Sequence, residues 1–98
     1  MNGVGVVTVV RFNSQLGEEE LLRIATERSE EFRRVPGLLQ KLYFGDVSGE
    51  GYGAVYLWDS PASVAQFRES DLFASIPAAY EIEGPMEVTV GRVVHTLR

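Results

Sequence analysis

The run Tyr52-Gly53-Ala54-Val55-Tyr56-Leu57-Trp58-Asp59-Ser60-Pro61 reads as a strand that delivers the chain straight into a helix. β-Branched and aromatic side chains favour extended backbone. Ser60-Pro61 then offers an N-cap followed by a proline at the first helical position, where a missing N–H is no loss. Alternation places Tyr52, Ala54, Tyr56 and Trp58 on one strand face and Val55 and Leu57 on the other. Both faces are apolar, and a strand of that kind has to be covered on both.

Moving upstream, Ser48-Gly49-Glu50-Gly51 is a hairpin connection, because its glycines supply the positive φ that tight turns need. A second strand precedes it, from Leu38 to Val47. Before that, a helix from Glu18 to about Arg34 carries carboxylates in its first turn and arginines in its last, as the helix dipole favours. Leu21, Ile24, Ala25 and Phe32 form its single buried stripe, and Pro36-Gly37 ends it. The first strand, Val4 to Phe12, is apolar on both faces: Val4, Val6, Val10 and Phe12 on one, Val7 and Val9 on the other. Downstream of Pro61, Val64 and Phe67 point inward from the second helix. Ser70-Asp71 breaks that helix and caps a short turn through Leu72, Phe73 and Ile76, closed by Pro77. Tyr80 to Pro85 is a connector, and Met86 to Leu97 a long last strand.

This order, β-α-β-β-α-β, predicts an α+β domain of ferredoxin-like type: a four-stranded antiparallel sheet with two helices on one face. All of residues 1–98 fall into that one domain. The helices leave the opposite sheet face bare, although the first and third strands make it apolar. An apolar sheet of that extent exceeds what soluble monomers commonly expose. The expected partner is therefore a second copy, giving a homodimer packed sheet to sheet with two-fold symmetry.

Composition narrows the chemistry. The 98 residues are 45% hydrophobic and 23% charged, which is the balance of a folded protein. Nine basic against fourteen acidic residues leave a net charge of −5, unsuited to non-specific nucleic-acid binding. The absence of cysteine excludes disulfides, zinc fingers, iron–sulfur clusters and thiol nucleophiles. A single histidine cannot build a multi-histidine metal site in one chain, although two chains could pool theirs, and no metal is expected. The N-terminus lacks a signal peptide's basic region and cleavage site. Its apolar run falls far short of the roughly 20 residues that cross a bilayer. A cytoplasmic protein without membrane contact is the expectation.

The segment Pro36-Gly37-Leu38-Leu39-Gln40-Lys41-Leu42-Tyr43, followed by the third strand through Ser60 and a short helix through Phe67, resembles the antibiotic-biosynthesis-monooxygenase-like dimeric α+β barrels. Within them it is most similar to the small YdhR-type monooxygenases. The resemblance covers residues 36 to 70 well and the whole chain in element order. It implies a dimeric barrel and a cofactor-independent monooxygenase-like activity on a small aromatic or polyketide-like compound; the other reading is a non-catalytic barrel that binds such a compound. Haem-degrading relatives keep a tryptophan where Trp58 stands, but also need a histidine about ten residues later. Phe67-Arg68-Glu69 stands there instead, and a guanidinium does not ligate iron.

His95 and Tyr56 are the catalytic candidates. His95 has the only side chain that titrates near neutrality unperturbed; set in alternation with Val93 and Leu97 near the C-terminus, it is either a proton-transfer group or a surface or structural histidine. Tyr56 shares a strand face with Trp58, so the pair forms either an aromatic pocket wall with one placed hydroxyl or ordinary core. Phe73 and Tyr80, in the irregular stretch after the second helix, either close such a pocket or plug the barrel end. Trp58, Phe73 and Tyr80 are the ligand-binding candidates. Arg11 and Arg92 are either anion-binding groups or exposed strand ends. The acidic runs at residues 18–20 and 30–31 read as solvated helix surface. The glycines at 45–53 lack the lysine and following helix of a phosphate loop.

Overall fold

The β-branched run at the N-terminus occupies the middle of the sheet. In the computed structural model, which describes residues 3–98, it forms β1 (Val6–Ser14). There follow α1 (Glu18–Glu27), α2 (Ser29–Arg33), β2 (Leu38–Gly45), β3 (Tyr52–Trp58), α3 (Pro61–Arg68), α4 (Asp71–Ala74), α5 (Ile76–Ala79) and β4 (Ile82–Arg92). The four strands form one sheet in the order β2-β3-β1-β4, every neighbouring pair antiparallel. This is the ferredoxin-like α+β arrangement expected from the element order. Met1 and Asn2, which belong to the N-terminal segment read for targeting signals, lie outside the described residues. No helix among the described residues is long and apolar enough to cross a membrane.

The two strand faces part as the alternation predicts. Val6, Val10, Phe12, Ala54, Tyr56 and Trp58 are buried on the inner face, against Leu21, Phe32, Val64, Phe67 and Ile76 of the helices. Val7, Val9, Val55 and Leu57 on the outer face are only half-buried, and Leu42 beside them is 50% exposed. Thr8 is the one polar residue in the buried set; it accepts a 3.0 Å hydrogen bond from the indole N–H of Trp58, which is 0% exposed. Two glycines permit close approach. A Cβ on Gly53 would lie 2.4 Å from the Phe44 ring and 2.6 Å from the Val10 carbonyl oxygen. Gly37 has φ +80°, and its carbonyl accepts the Asp59 N–H at 3.0 Å, which ties the start of β2 to the end of β3.

Several element boundaries differ from the sequence expectation. The helix read from Glu18 to Arg34 divides at Arg28, where Ser29 returns its hydroxyl to the Ala25 carbonyl at 2.9 Å. Such back-bonding bends a helix. Pro77 does not close the turn after α3: it lies in the first turn of α5, where its missing N–H is tolerated. The last strand starts at Ile82, not Met86, and ends at Arg92, not Leu97. Its early start runs through Gly84 (φ +71°) and Pro85, where the register against β1 slips between Arg11 and Asn13. An edge strand accepts a proline at such an irregularity. The strand ends early because its partner does: Val93 donates to the Gly5 carbonyl at 2.9 Å, just ahead of the first residue of β1. Residues 93–98 therefore have no strand alternation, and the face read for His95 does not exist.

Candidate functional site

Across the β2–β3 ladder Lys41 stands opposite Tyr56, and Tyr43 opposite Ala54. Both β2 side chains thus project from the inner face toward α2. Register is irregular between Leu38 and Gln40, so Leu38 joins that face as well. Phe32 of α2 comes down over the amine: Lys41 Nζ lies 3.3 Å from the Phe32 ring centroid, 4.4 Å from that of Tyr43 and 4.6 Å from that of Tyr56. Arg28, at the break between α1 and α2, stacks its guanidinium 5.8 Å from the Phe32 centroid and 5.9 Å from that of Tyr80. It donates through Nη2 to Ser75 Oγ at 2.6 Å, while its buried Nε has no hydrogen-bond partner among the described residues. The Tyr43 and Tyr80 hydroxyls share a hydrogen bond of 3.0 Å.

The result is a cluster of two basic side chains and three phenols between sheet and helices. It borders a cavity of about 270 Å³ lined by Ala25, Ser29, Phe32, Leu38, Lys41 and Tyr43 among others. Burial governs its titration. Removal from water, with the like charge of Arg28 second, lowers the Lys41 pKa from 10.5 to about 6, so the amine is largely neutral at pH 7. Burial likewise raises the Tyr43 and Tyr56 phenols, which therefore stay protonated, and raises Tyr80 too. A neutral amine is a proton acceptor and a nucleophile, and the phenols and Arg28 are donors facing it. Among the described residues no three His, Asp or Glu side chains come together in a way that would hold a metal.

The structure separates the residues singled out from sequence. Tyr56 and Tyr80 enter the cluster, Tyr80 through Tyr43. Trp58 stacks on Tyr56 at 5.8 Å but turns its N–H to Thr8, behind the cavity wall. Phe73 packs edge-on against Phe67 at 5.4 Å, on the α3–α4 side. His95 is exposed beyond the end of β4 and takes no part in the cluster's hydrogen bonds. Arg11 lies over the Phe44 ring on the outer face, and Arg92 is exposed at the end of β4. Sequence reasoning passed over Lys41, Arg28 and Tyr43. One signal was present: Lys41 is the single lysine of the chain.

No protein-family profile matches the sequence, and no curated protein matches it. Solved structures do. SnoaB, a cofactor-independent oxygenase from Streptomyces nogalater, superposes with TM-score 0.74 at 17% identity, over 96% of this chain and 97% of that one. The monooxygenase from the gene ActVA-Orf6 of Streptomyces coelicolor, in complex with the ligand nanaomycin D, gives 0.77 at 22% identity, over 100% and 95%. NE2512 from Nitrosomonas europaea, a protein of unknown function, gives 0.77 at 11% identity, over 98% and 95%. The fold is that of the antibiotic-biosynthesis-monooxygenase-like proteins, as the resemblance implied.

Proposed function

We propose that, on the scaffold it shares with these oxygenases, the chain oxygenates a small aromatic compound without a cofactor. The observation that carries this reading is a lysine amine set against the Phe32, Tyr43 and Tyr56 rings, on a residue that lines a cavity between sheet and helices. Oxygenation of this kind needs a base, a dry pocket and donors for the anion that forms. Lys41 would remove a proton from an acidic CH₂ between aromatic rings. The resulting carbanion passes one electron to dioxygen, and the radical pair joins to a peroxide. Loss of the second CH₂ proton and of hydroxide leaves a ketone and one water, so CH₂ and O₂ become C=O and H₂O. Tyr56, Tyr43 and Tyr80 would hold the oxyanion, with Arg28 supplying charge. Trp58 and Phe73 would support the wall from behind. His95 of the same chain stands outside this pocket, so the proton falls to Lys41.

The proposal includes a homodimer. On the outer face Leu42, Val55 and Val9 line up across three strands, with Leu57 and Val7 in the next row. Arg11 faces Glu87 at the rim of the same face, so like charges do not block self-association. A second copy offers the same apolar rows and covers them by two-fold symmetry.

Oxygen uptake with an anthrone tests the activity, measured for the wild type and for Lys41→Met. Uptake that falls at least about 100-fold in the variant supports the assignment, on the scale of a general base. Binding of the anthrone with no uptake would replace it by the reading of a non-catalytic binding protein.

A further inference from the structure

Lys41 is the only lysine among nine basic residues, and no carboxylate pairs with it among the described residues. Arginine stands at every other cationic position, while this one unpaired amine lies under three aromatic rings. Arginine would stack on those rings at least as well. What an amine has, and a guanidinium lacks, is an available lone pair. Lys41 also lines a cavity of about 270 Å³, just under the usual size of ligand pockets.

We propose that Lys41 captures an aldehyde or ketone group of a small aromatic ligand as an imine. The amine lone pair attacks the carbonyl carbon, and one N–H proton passes to the carbonyl oxygen to give a carbinolamine. A phenol of the Tyr43–Tyr80 pair, whose hydroxyls lie 3.0 Å apart, protonates the departing oxygen, which leaves as water. The remaining nitrogen proton returns to that phenolate. One water leaves for each C=N bond formed, and no oxidant or reductant takes part. The ring faces of Phe32, Tyr43 and Tyr56 attract the charged amine, and its burial works against them. Arg28 from the α1–α2 break opposes its protonation. Tyr43 on its own strand, Tyr56 on β3 and Tyr80 after α5 are held protonated by burial, ready to donate. The inference goes beyond the oxygenase reading while drawing on the same amine, the same Tyr43–Tyr80 pair and the same cavity.

Trapping tests it. The protein is incubated with 4-hydroxybenzaldehyde and sodium cyanoborohydride at pH 7, and the products are read by intact mass and peptide mapping. The expected result is one reduced adduct on Lys41, forming at least about 10-fold faster than on the α-amino group. Its rate should hold down to about pH 6, where an ordinary lysine is almost fully protonated. Lys41→Arg should keep only the α-amino background, and Tyr43→Phe should slow labelling of Lys41 without abolishing it. Labelling confined to the α-amino group of the wild type would overturn the inference, whether or not any variant folds. Oxygen uptake is recorded separately, so an adduct without uptake retains this inference while removing the oxygenase reading.

Discussion

Replacing Lys41 by methionine should stabilise the protein, and by an amount that depends on pH. The folded state holds the amine at a pKa of about 6, against 10.5 when exposed. Between those values the unfolded chain binds a proton that the folded one does not, so wild-type stability rises with pH across the window and levels off below it. At about 1.4 kcal/mol for each tenfold change in protonation, keeping the amine neutral at pH 7 costs at most about 5 kcal/mol. Two effects reduce that figure. The side chain is only half-buried, and the faces of Phe32, Tyr43 and Tyr56 return part of the loss through attraction to the charged form. Methionine fills a similar volume and has nothing to desolvate. The expected gain at pH 7 is about 2–3 kcal/mol, or ~10 °C or more in Tm for a domain of this size. Urea denaturation of both proteins at pH 6, 7.5 and 9 measures it. The variant's advantage should shrink steadily as pH rises. An advantage equal at pH 6 and pH 9, or a variant less stable throughout, would refute the account of a desolvated amine.

Other perturbations probe different layers of the structure. Trp58→Phe removes a fully buried indole and leaves the Thr8 hydroxyl without its donor, so chemical denaturation should show a loss of about 2–4 kcal/mol. Tyr43→Phe deprives Tyr80 of its hydroxyl partner and should cost about 1 kcal/mol in the same assay, with the fold retained by circular dichroism. Gly53→Ala forces a Cβ against the Phe44 ring and the Val10 carbonyl; thermal melting should fall by several degrees, and Phe44→Ala in the same chain should recover part of it. Val55→Glu places a charge in the middle of the outer apolar rows; sedimentation should show a dimer for the wild type, as proposed, and a monomer for the variant.

Strand and helix identity were legible in the sequence because both rest on local periodicity. The two apolar faces of β1 and β3, the Ser60-Pro61 helix start, whose hydroxyl accepts from the Ser63 N–H, and the inward side chains of α3 all follow from residues a few positions apart. The ends of β4 were not legible, because they depend on where β1 stops and on a register slip around Gly84 and Pro85. Of the residues noted for function, Tyr56 and Tyr80 meet in the cluster, while Trp58 faces Thr8 and His95 lies beyond the sheet. Chemistry was harder to read because it depends on neighbours far apart in sequence. Alternation places Lys41 and Tyr43 on a common face, but only the β2–β3 register turns that face toward the helices. Only the fold brings Phe32 of α2 and Tyr56 of β3 over the amine, with the charge of Arg28 nearby. Composition by itself determined that there is one lysine to consider. The tertiary structure decided that this lysine is desolvated, since burial and the nearness of another cation are properties of the packed chain and not of any stretch of it.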